Sequence, residues 1–326
     1  MDTSVMITLG FLVFAIVMFA WEKIPLSITA MVVAVGLHLS GVLSAKEAFA
    51  GFVDPNVLLF MGMFVIGEAF FATGVAVGVG NVVHKFAKTE TSLLVAVMMI
   101  TGVLSGFLSN TGTAAVLIPV IIGICKKSGF KQTKLLMPLV FAAAMGGNIS
   151  LIGAPGNMIA QAGLQQAGLG SFNFFDYGLV GLPILIVGTI FYATIGKRFL
   201  PDAPSHQPDG AFEGNDDYSH VPSWKKWTAA IILILTVVAM IFEKQLGVKL
   251  YVSAWIGALV LVATNVISET AAVKSIDMKT IMLFAGSMAL GDAMVKTGTG
   301  SVIADIIVNS LGASPSPIVV LVVIFV

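Results

Sequence analysis

The sequence predicts an all-α integral membrane protein, and its composition is the first observation behind this prediction. Of 326 residues, 57% are hydrophobic and 10% are charged, which leaves too little polar surface for a water-soluble globule. The second observation is a series of apolar stretches near the length of about 17 to 25 residues that a membrane helix needs. They lie at 4–21, 25–43, 56–82, 177–196, 228–243, 250–267 and 280–308.

Two further apolar regions are interrupted by polar residues and glycines. The region 92–124 contains Ser109-Asn110-Thr111-Gly112, and the region 135–166 contains a glycine-rich run from Gly146 to Gly156. Irregular backbone at membrane depth persists only where protein, water or a ligand satisfies its polar groups. We therefore predict a hairpin and a broken helix. The arm from Thr111 to Cys125 has 15 residues, which suits a re-entrant hairpin better than a full span.

The chain repeats itself at a constant offset of 224 residues, so that residues 26–76 align with residues 250–300. The shared glycines carry the most weight, because matches between apolar residues are common. They are Gly62 with Gly286, Gly67 with Gly291 and Gly74 with Gly298. In the same alignment Glu68 meets Asp292. Since many secondary transporters consist of two inverted repeats, we predict an inverted two-repeat fold.

The repeat divides the chain into five predicted segments. Residues 1–83 would form the scaffold helices of the first repeat, and residues 84–198 its transport part, with the re-entrant hairpin and the broken helix. Residues 199–223 are rich in proline and charge and would form a polar linker. Residues 224–313 would form the scaffold of the second repeat, and residues 314–326 the start of a second hairpin. Since the counterpart of Ser109 would fall beyond Val326, we expect a truncated chain.

The distribution of charge predicts the orientation of the chain and excludes one class of partner. The 17 basic and 17 acidic residues balance, so no nucleic-acid partner is expected. Basic residues such as Lys126, Lys127 and Lys197 concentrate in alternate loops, which the positive-inside rule places in the cytoplasm. The N-terminus would then lie outside the cell membrane and the central linker in the cytoplasm. The two repeats would run in opposite directions.

The two breaks offer ligands for an anion and for a cation. A helix that begins after Thr111 would direct free N–H groups and the positive end of its dipole at the hairpin tip, which favours an anion. The arm that ends near Ser109 would offer free carbonyls, which suit a sodium ion together with neutral side-chain oxygens. Asn148 and Asn157 supply the same ingredients in the second break, and Asn157 is our substrate-binding candidate there.

The triplet S-N-T at 109–111, followed by G-G-x-x-S-L-I-G-x-P-x-N at 146–157, resembles the divalent anion:sodium symporter family of the ion transporter superfamily. The resemblance implies sodium ligands and substrate ligands. The sodium ligands would be Ser105, Ser109, Asn110 and the Gly153 carbonyl. Asn110 and Thr111 would bind a carboxylate or sulfate substrate. The resemblance also implies a homodimer in the lipid bilayer, an elevator-like movement, and no cofactor other than the coupling sodium ion.

The sequence departs from that family in one motif and leaves other functions open. The family's usual G-T-P-P-N reads Gly153-Ala154-Pro155-Gly156-Asn157 here, which removes a hydroxyl. A sodium/proton antiporter, or a carrier of arsenite or metal-citrate, is the main alternative, in which Glu68 and Asp292 would carry protons. An intramembrane enzyme is not expected, because the sequence has no HExxH motif, no aspartate pair on a G-x-G-D pattern and no Ser-His pair at a suitable depth.

Overall fold

The computed structural model describes residues 2–78, 89–128, 130–200 and 218–311. Within these ranges all regular secondary structure is helical, as predicted. The α-helices are α1 (Thr3–Trp21), α2 (Leu26–Leu39), α3 (Ala45–Ala48), α4 (Pro55–Ala72), α5 (Glu90–Ser105), α6 (Asn110–Ser128), α7 (Thr133–Gly146), α8 (Pro155–Gln166), α9 (Gly178–Thr194), α10 (Ser223–Ile241), α11 (Glu243–Leu246), α12 (Leu250–Ala263), α13 (Glu269–Ser275), α14 (Met278–Thr297) and α15 (Thr299–Leu311). Most of the predicted linker at 199–223 and all of the segment 314–326 lie outside the described residues.

Several of these helices have the length and the surface of membrane spans. Among the described residues, α1, α4, α10 and α14 are long and apolar enough to cross a membrane, and six shorter helices of 10 to 17 residues are also apolar. Large apolar side chains point outward: Leu179 and Val187 on α9 are 79% and 65% exposed, and Ile234 on α10 is 60% exposed. Apolar surface of this extent needs a lipid or protein environment. The chain is a multi-pass α-helical membrane protein.

Two stretches that the sequence predicted as continuous are each divided by a glycine. α4 ends at Ala72 and α14 at Thr297, and the glycines that follow, Gly74 and Gly298, have left-handed φ angles of 76° and 72°. A left-handed residue ends an α-helix, and glycine adopts this conformation without steric cost. The prediction of single stretches at 56–82 and 280–308 is therefore wrong, because apolar composition does not reveal a change of backbone conformation.

One compact unit comprises residues 1–57 and 278–326, of which the structure describes residues up to 311. In this unit α14 packs along α2, and α1 packs against both. Small residues such as Ala34 and Ala289 line the contact and are almost fully buried. A Cβ at Gly286 would lie 2.7 Å from the Cβ of Ala30, so glycine permits this close approach of two helices.

The second compact unit comprises residues 58–277 and contains both predicted breaks. Helices α5, α6, α7 and α9 surround a core that is made largely of leucine and isoleucine, and α10 packs against α12. A Cβ at Gly146 on α7 would collide with the backbone of Gly102 on α5. The two glycines therefore allow α5 and α7 to approach closely near the ends where the breaks begin.

The predicted offset of 224 residues recurs in the backbone. α2 and α12 both have 14 residues and begin at the aligned positions Leu26 and Leu250. The turns that follow place Gly41 and Asn265, which are also aligned, at left-handed φ angles of 77° and 56°. The two segments thus match both in the lengths of their helices and in the conformation of the turns that follow. They are structural copies of one unit. Their opposite direction in the membrane stays a prediction.

The two copies exchange packing partners. In one unit, α14 of the second copy packs on α2 of the first at Gly286 and Ala30. In the other unit, α4 of the first copy meets α12 of the second, where a Cβ at Gly62 would lie 2.8 Å from the Cβ of Ala254. These four residues are aligned pairs of the repeat, so the same glycine-alanine contact is made twice. Each copy therefore makes one of its close helix contacts with the other copy.

Candidate ion and anion site

The first break connects α5 to α6. α5 ends at Ser105 and α6 begins at Asn110, so residues 106–109 lie outside both helices. Ser109 caps α6, since its Oγ accepts a hydrogen bond of 3.1 Å from the Gly112 N–H. Serine is favoured at this position because its side-chain oxygen replaces the missing helical acceptor. The hairpin tip that the sequence predicted is the start of a new helix.

The second break connects α7 to α8 and is longer. Residues 147–154 lie outside both helices, and α8 begins at Pro155, a favoured first residue because proline has no N–H to satisfy. The Asn157 Nδ2 donates to the carbonyls of Gly147 at 2.8 Å and Ser150 at 2.9 Å. These bonds supply partners for backbone groups that the break leaves without helical ones. The predicted interruption of this helix is confirmed.

Two hydroxyl groups join the helices on either side of the breaks. The Ser105 Oγ, at the end of α5, donates to the Ala143 carbonyl of α7 at 2.7 Å. The Ser150 Oγ, in the second break, donates to the Gly106 carbonyl in the first. Both serines are fully buried, so each bond is protected from water. The two breaks therefore form one connected polar region.

The side chain of Asn110 lies where the two breaks meet. One edge of its amide faces the Ser105 Oγ at 2.6 Å, the Gly153 carbonyl at 3.0 Å and the Ala143 carbonyl at 3.1 Å. With the nitrogen on this edge, the amide has two N–H donors for these three oxygens. With the oxygen there, four oxygens converge, and the single proton of the Ser105 hydroxyl can go either to the Asn110 Oδ1 at 2.6 Å or to the Ala143 carbonyl at 2.7 Å. We call these atoms, Ser105 Oγ, Asn110 Oδ1 and the Ala143 and Gly153 carbonyl oxygens, the oxygen cluster.

The chemistry of the oxygen cluster suits a hard cation of low charge. Its members are neutral hydroxyl, amide and carbonyl oxygens, which are the ligands that broken helices offer to sodium in transporters. Within the described ranges, no three His, Cys, Asp or Glu side chains converge on a possible metal site. The oxygen cluster is therefore the cation-binding candidate in this part of the chain.

The structure brings together three of the four residues predicted to bind sodium, namely Ser105, Asn110 and Gly153. The fourth, Ser109, precedes Asn110 and uses its Oγ to cap α6. The substrate candidates differ from each other. Thr111 is exposed in the first turn of α6, whereas Asn157 is 5% exposed and uses its amide nitrogen inside the second break. Their roles in ligand binding stay predictions.

Sequence reasoning missed the Ala143 carbonyl, which is the fourth member of the oxygen cluster. Every residue has a carbonyl, so composition alone gives no reason to choose this one. It reaches the cluster because α5 and α7 approach closely at Gly102 and Gly146. The usable signal was the placement of glycines near the end of each helix, since small residues allow membrane helices to come into close contact.

Several curated proteins that are similar to this chain are described only as uncharacterized transporters. A protein of Escherichia coli is 33% identical over 211 residues, which are 64% of this chain and 35% of that protein. A Synechocystis protein is 31% identical over 61% of this chain and 33% of its own length. A Haemophilus influenzae protein is 26% identical over 92% of this chain and 67% of its own length. The matched regions thus span about a third of the first two relatives.

A family comparison covers nearly the whole chain. The family model described as citrate transporter (CitMHS) matches residues 16–326. This match includes both breaks, the oxygen cluster and both copies of the repeat. The match confirms two predictions: the chain belongs to the ion transporter superfamily, and it is a transporter and not an enzyme. The chain therefore belongs to the citrate transporter family.

Proposed function

We propose that this chain forms part of a sodium-coupled symporter for small divalent anions, such as di- and tricarboxylates or sulfate. One observation carries the proposal: a hydroxyl and two carbonyls, contributed by two broken helices, lie within 2.6 to 3.1 Å of one edge of the Asn110 amide. The resemblance to divalent anion:sodium symporters implies three of these four residues, Ser105, Asn110 and Gly153, as sodium ligands. In a membrane, carbonyl oxygens at a helix break need a partner from the protein, from water or from a ligand, and a sodium ion is one such partner.

The anion part of the proposal rests on the start of α6. The first turn of this helix, at Asn110 and Thr111, has N–H groups without helical acceptors, and Thr111 is exposed there. The positive end of a helix dipole and free N–H groups favour an anion. The chain has no Lys or Arg between Ser105 and Thr111 or between Gly147 and Asn157. A bound sodium ion at Asn110 would supply the positive charge that is missing there.

The energetics of import give coupling a physical reason. Importing a dianion against a potential of about 100 mV, negative inside, costs about 4.6 kcal/mol, at about 2.3 kcal/mol for each charge. Each sodium ion that enters offsets about 2.3 kcal/mol, and every tenfold sodium gradient adds about 1.4 kcal/mol. Two sodium ions therefore balance the electrical cost of one dianion. We propose a homodimer with an elevator-like movement of the hairpin, which follows from the resemblance of the two breaks to divalent anion:sodium symporters.

The test is uptake of labelled citrate, succinate and sulfate into proteoliposomes that contain the protein, under an inward sodium gradient. We expect one anion to accumulate with sodium and not with potassium at equal ionic strength. Equal uptake in both salts would contradict sodium coupling. No uptake, together with a pH change driven by sodium, would instead favour the antiporter, and Glu68→Gln with Asp292→Asn would then abolish that pH change.

A further inference from the structure

The amide of Asn110 has two chemically different edges, one an acceptor and one a donor. The edge that faces the oxygen cluster lies 3.0 Å from the Gly153 carbonyl and 3.1 Å from the Ala143 carbonyl. Carbonyl oxygens only accept hydrogen bonds, so an amide oxygen beside them is unfavourable unless a cation lies between them. An amide nitrogen in the same place donates to both. The oxygen edge of the amide is therefore favourable beside these carbonyls when a cation is bound, and the nitrogen edge is favourable when it is not.

We propose that the Asn110 amide turns over with each sodium ion, presenting its oxygen to the bound ion and its nitrogen to the Ala143 and Gly153 carbonyls when the ion has left. This inference rests on the proposed sodium site and adds a role for Asn110 in the ion-free carrier. The turnover is a rotation of about 180° about the last side-chain bond, a torsion that is broad and roughly two-fold in asparagine. It exchanges two atoms of similar size, so the surrounding helices need not move.

Gly147 provides the space that the end of the Asn110 amide occupies in either orientation. A Cβ at Gly147 would lie 2.6 Å from the Asn110 Oδ1 and 2.7 Å from its Nδ2. Its distance to the Asn110 Cγ is longer, 3.0 Å, so the oxygen and nitrogen end of the amide points at the position that a Gly147 Cβ would take. The φ of Gly147 is −56°, which any residue can adopt. Glycine is therefore required here for the clearance that it gives the amide and not for its backbone freedom.

The turnover matters because a symporter must also move without its ions. Buried acceptors that lose a cation are costly unless a donor replaces it. The Asn110 nitrogen is that donor, so the same side chain satisfies the oxygen cluster in both states. An ionised aspartate at this position would have an oxygen on both edges. It could not donate to the Ala143 and Gly153 carbonyls after sodium has left. The asparagine thus gives the Ala143 and Gly153 carbonyls a donor in the ion-free carrier.

The test follows the side-chain NH₂ of Asn110 by NMR in the native protein labelled with ¹⁵N-asparagine. Its resonance is assigned by its loss in Asn110→Ser, or in Asn110→Asp if the serine variant does not fold. We expect sodium chloride to shift this resonance, and choline chloride at equal ionic strength to leave it unchanged. The NH₂ of Asn157 is the internal reference, because it donates to Gly147 and Ser150 and should stay there.

Four outcomes would contradict the proposed rotation of the amide. A stationary Asn110 resonance, in a protein whose melting temperature rises with sodium, would reject the rotation and leave the sodium site standing. No effect of sodium on either measurement would reject both. An equal shift at Asn157 would indicate a general rearrangement of the break. Gly147→Ala should abolish the sodium-induced shift of the Asn110 resonance. Gly156→Ala, whose added Cβ meets no atom within 4 Å, should keep it. A full shift in Gly147→Ala would also reject the rotation.

Discussion

The first break leaves residues 106–109 outside the helices, whereas the second leaves residues 147–154 outside them. The short break is satisfied by a helix cap, since the Ser109 Oγ accepts from the backbone. The long break is satisfied by a buried amide, since Asn157 donates to two of its carbonyls. The same problem of unpaired backbone in a membrane is thus solved in two ways.

The difference teaches that the two breaks contribute different kinds of ligand. The first supplies a side chain, Asn110, whose chemistry a substitution can remove. The second supplies the Gly153 carbonyl, which a substitution can only displace. Substitution of Asn110 should therefore act directly on sodium affinity, and substitutions in the second break should act through stability or through the position of the backbone. Four substitutions test this division, from the largest expected effect to the smallest.

Asn110→Ala should have the largest effect, because it removes the only side chain that contacts every other member of the oxygen cluster among the described residues. A hydrogen-bonding group opposite a charge is worth about 1.5 to 3 kcal/mol, so sodium affinity should fall about 10- to 100-fold. The measurement is the rise in melting temperature across a sodium titration. Asn173→Ala, at an exposed asparagine, is the control and should titrate like the native protein.

Gly147→Ala should have the second largest effect. Its Cβ would lie 2.6 Å from the Asn110 side chain, and overpacking of this kind costs about 1 to 3 kcal/mol. Because the added methyl group displaces a ligand, we expect part of this cost to appear as weaker sodium binding in the same titration. Gly156→Ala adds the same methyl group in open space. Equal sodium affinity in the two variants would contradict a role of the second break in sodium binding.

Asn157→Leu should act mainly on stability. It removes two hydrogen bonds from a buried break, which should lower the free energy of unfolding by about 1 to 3 kcal/mol, with a smaller loss of sodium affinity than Gly147→Ala shows. Thermal unfolding without sodium measures the first effect. An unchanged melting temperature with a raised KM for the anion would instead make Asn157 a substrate ligand, as the sequence predicted.

Ser109→Gly should have the smallest effect. Glycine is also a favourable cap residue, so its replacement of a serine cap costs only a few tenths of a kcal/mol. If Ser109 acts only as a cap, sodium affinity should stay close to that of the native protein. A loss of tenfold or more would show that the Ser109 oxygen uses its remaining lone pair for sodium, in agreement with the prediction from the resemblance.

The sequence predicted the places where helices break better than the atoms that meet there. Ser109-Asn110-Thr111 and the run after Gly146 are unusual in apolar regions, and local composition was enough to find them. The Ala143 carbonyl was not predictable in this way, because its position depends on the contact of α5 with α7. The divisions at Gly74 and Gly298 were missed for a similar reason, since the apolar run continues through both.

The exchange of partners between the two copies has a consequence for the order of events during synthesis. α2 ends at Leu39, and its partner α14 begins at Met278. At about 5 to 20 residues per second, the ribosome delivers α14 roughly 10 to 50 s after α2. For that time Ala30 has no Gly286 to pack against, although α2 can already pack against α1. The contact between α2 and α14 therefore cannot form before α14 has been synthesised.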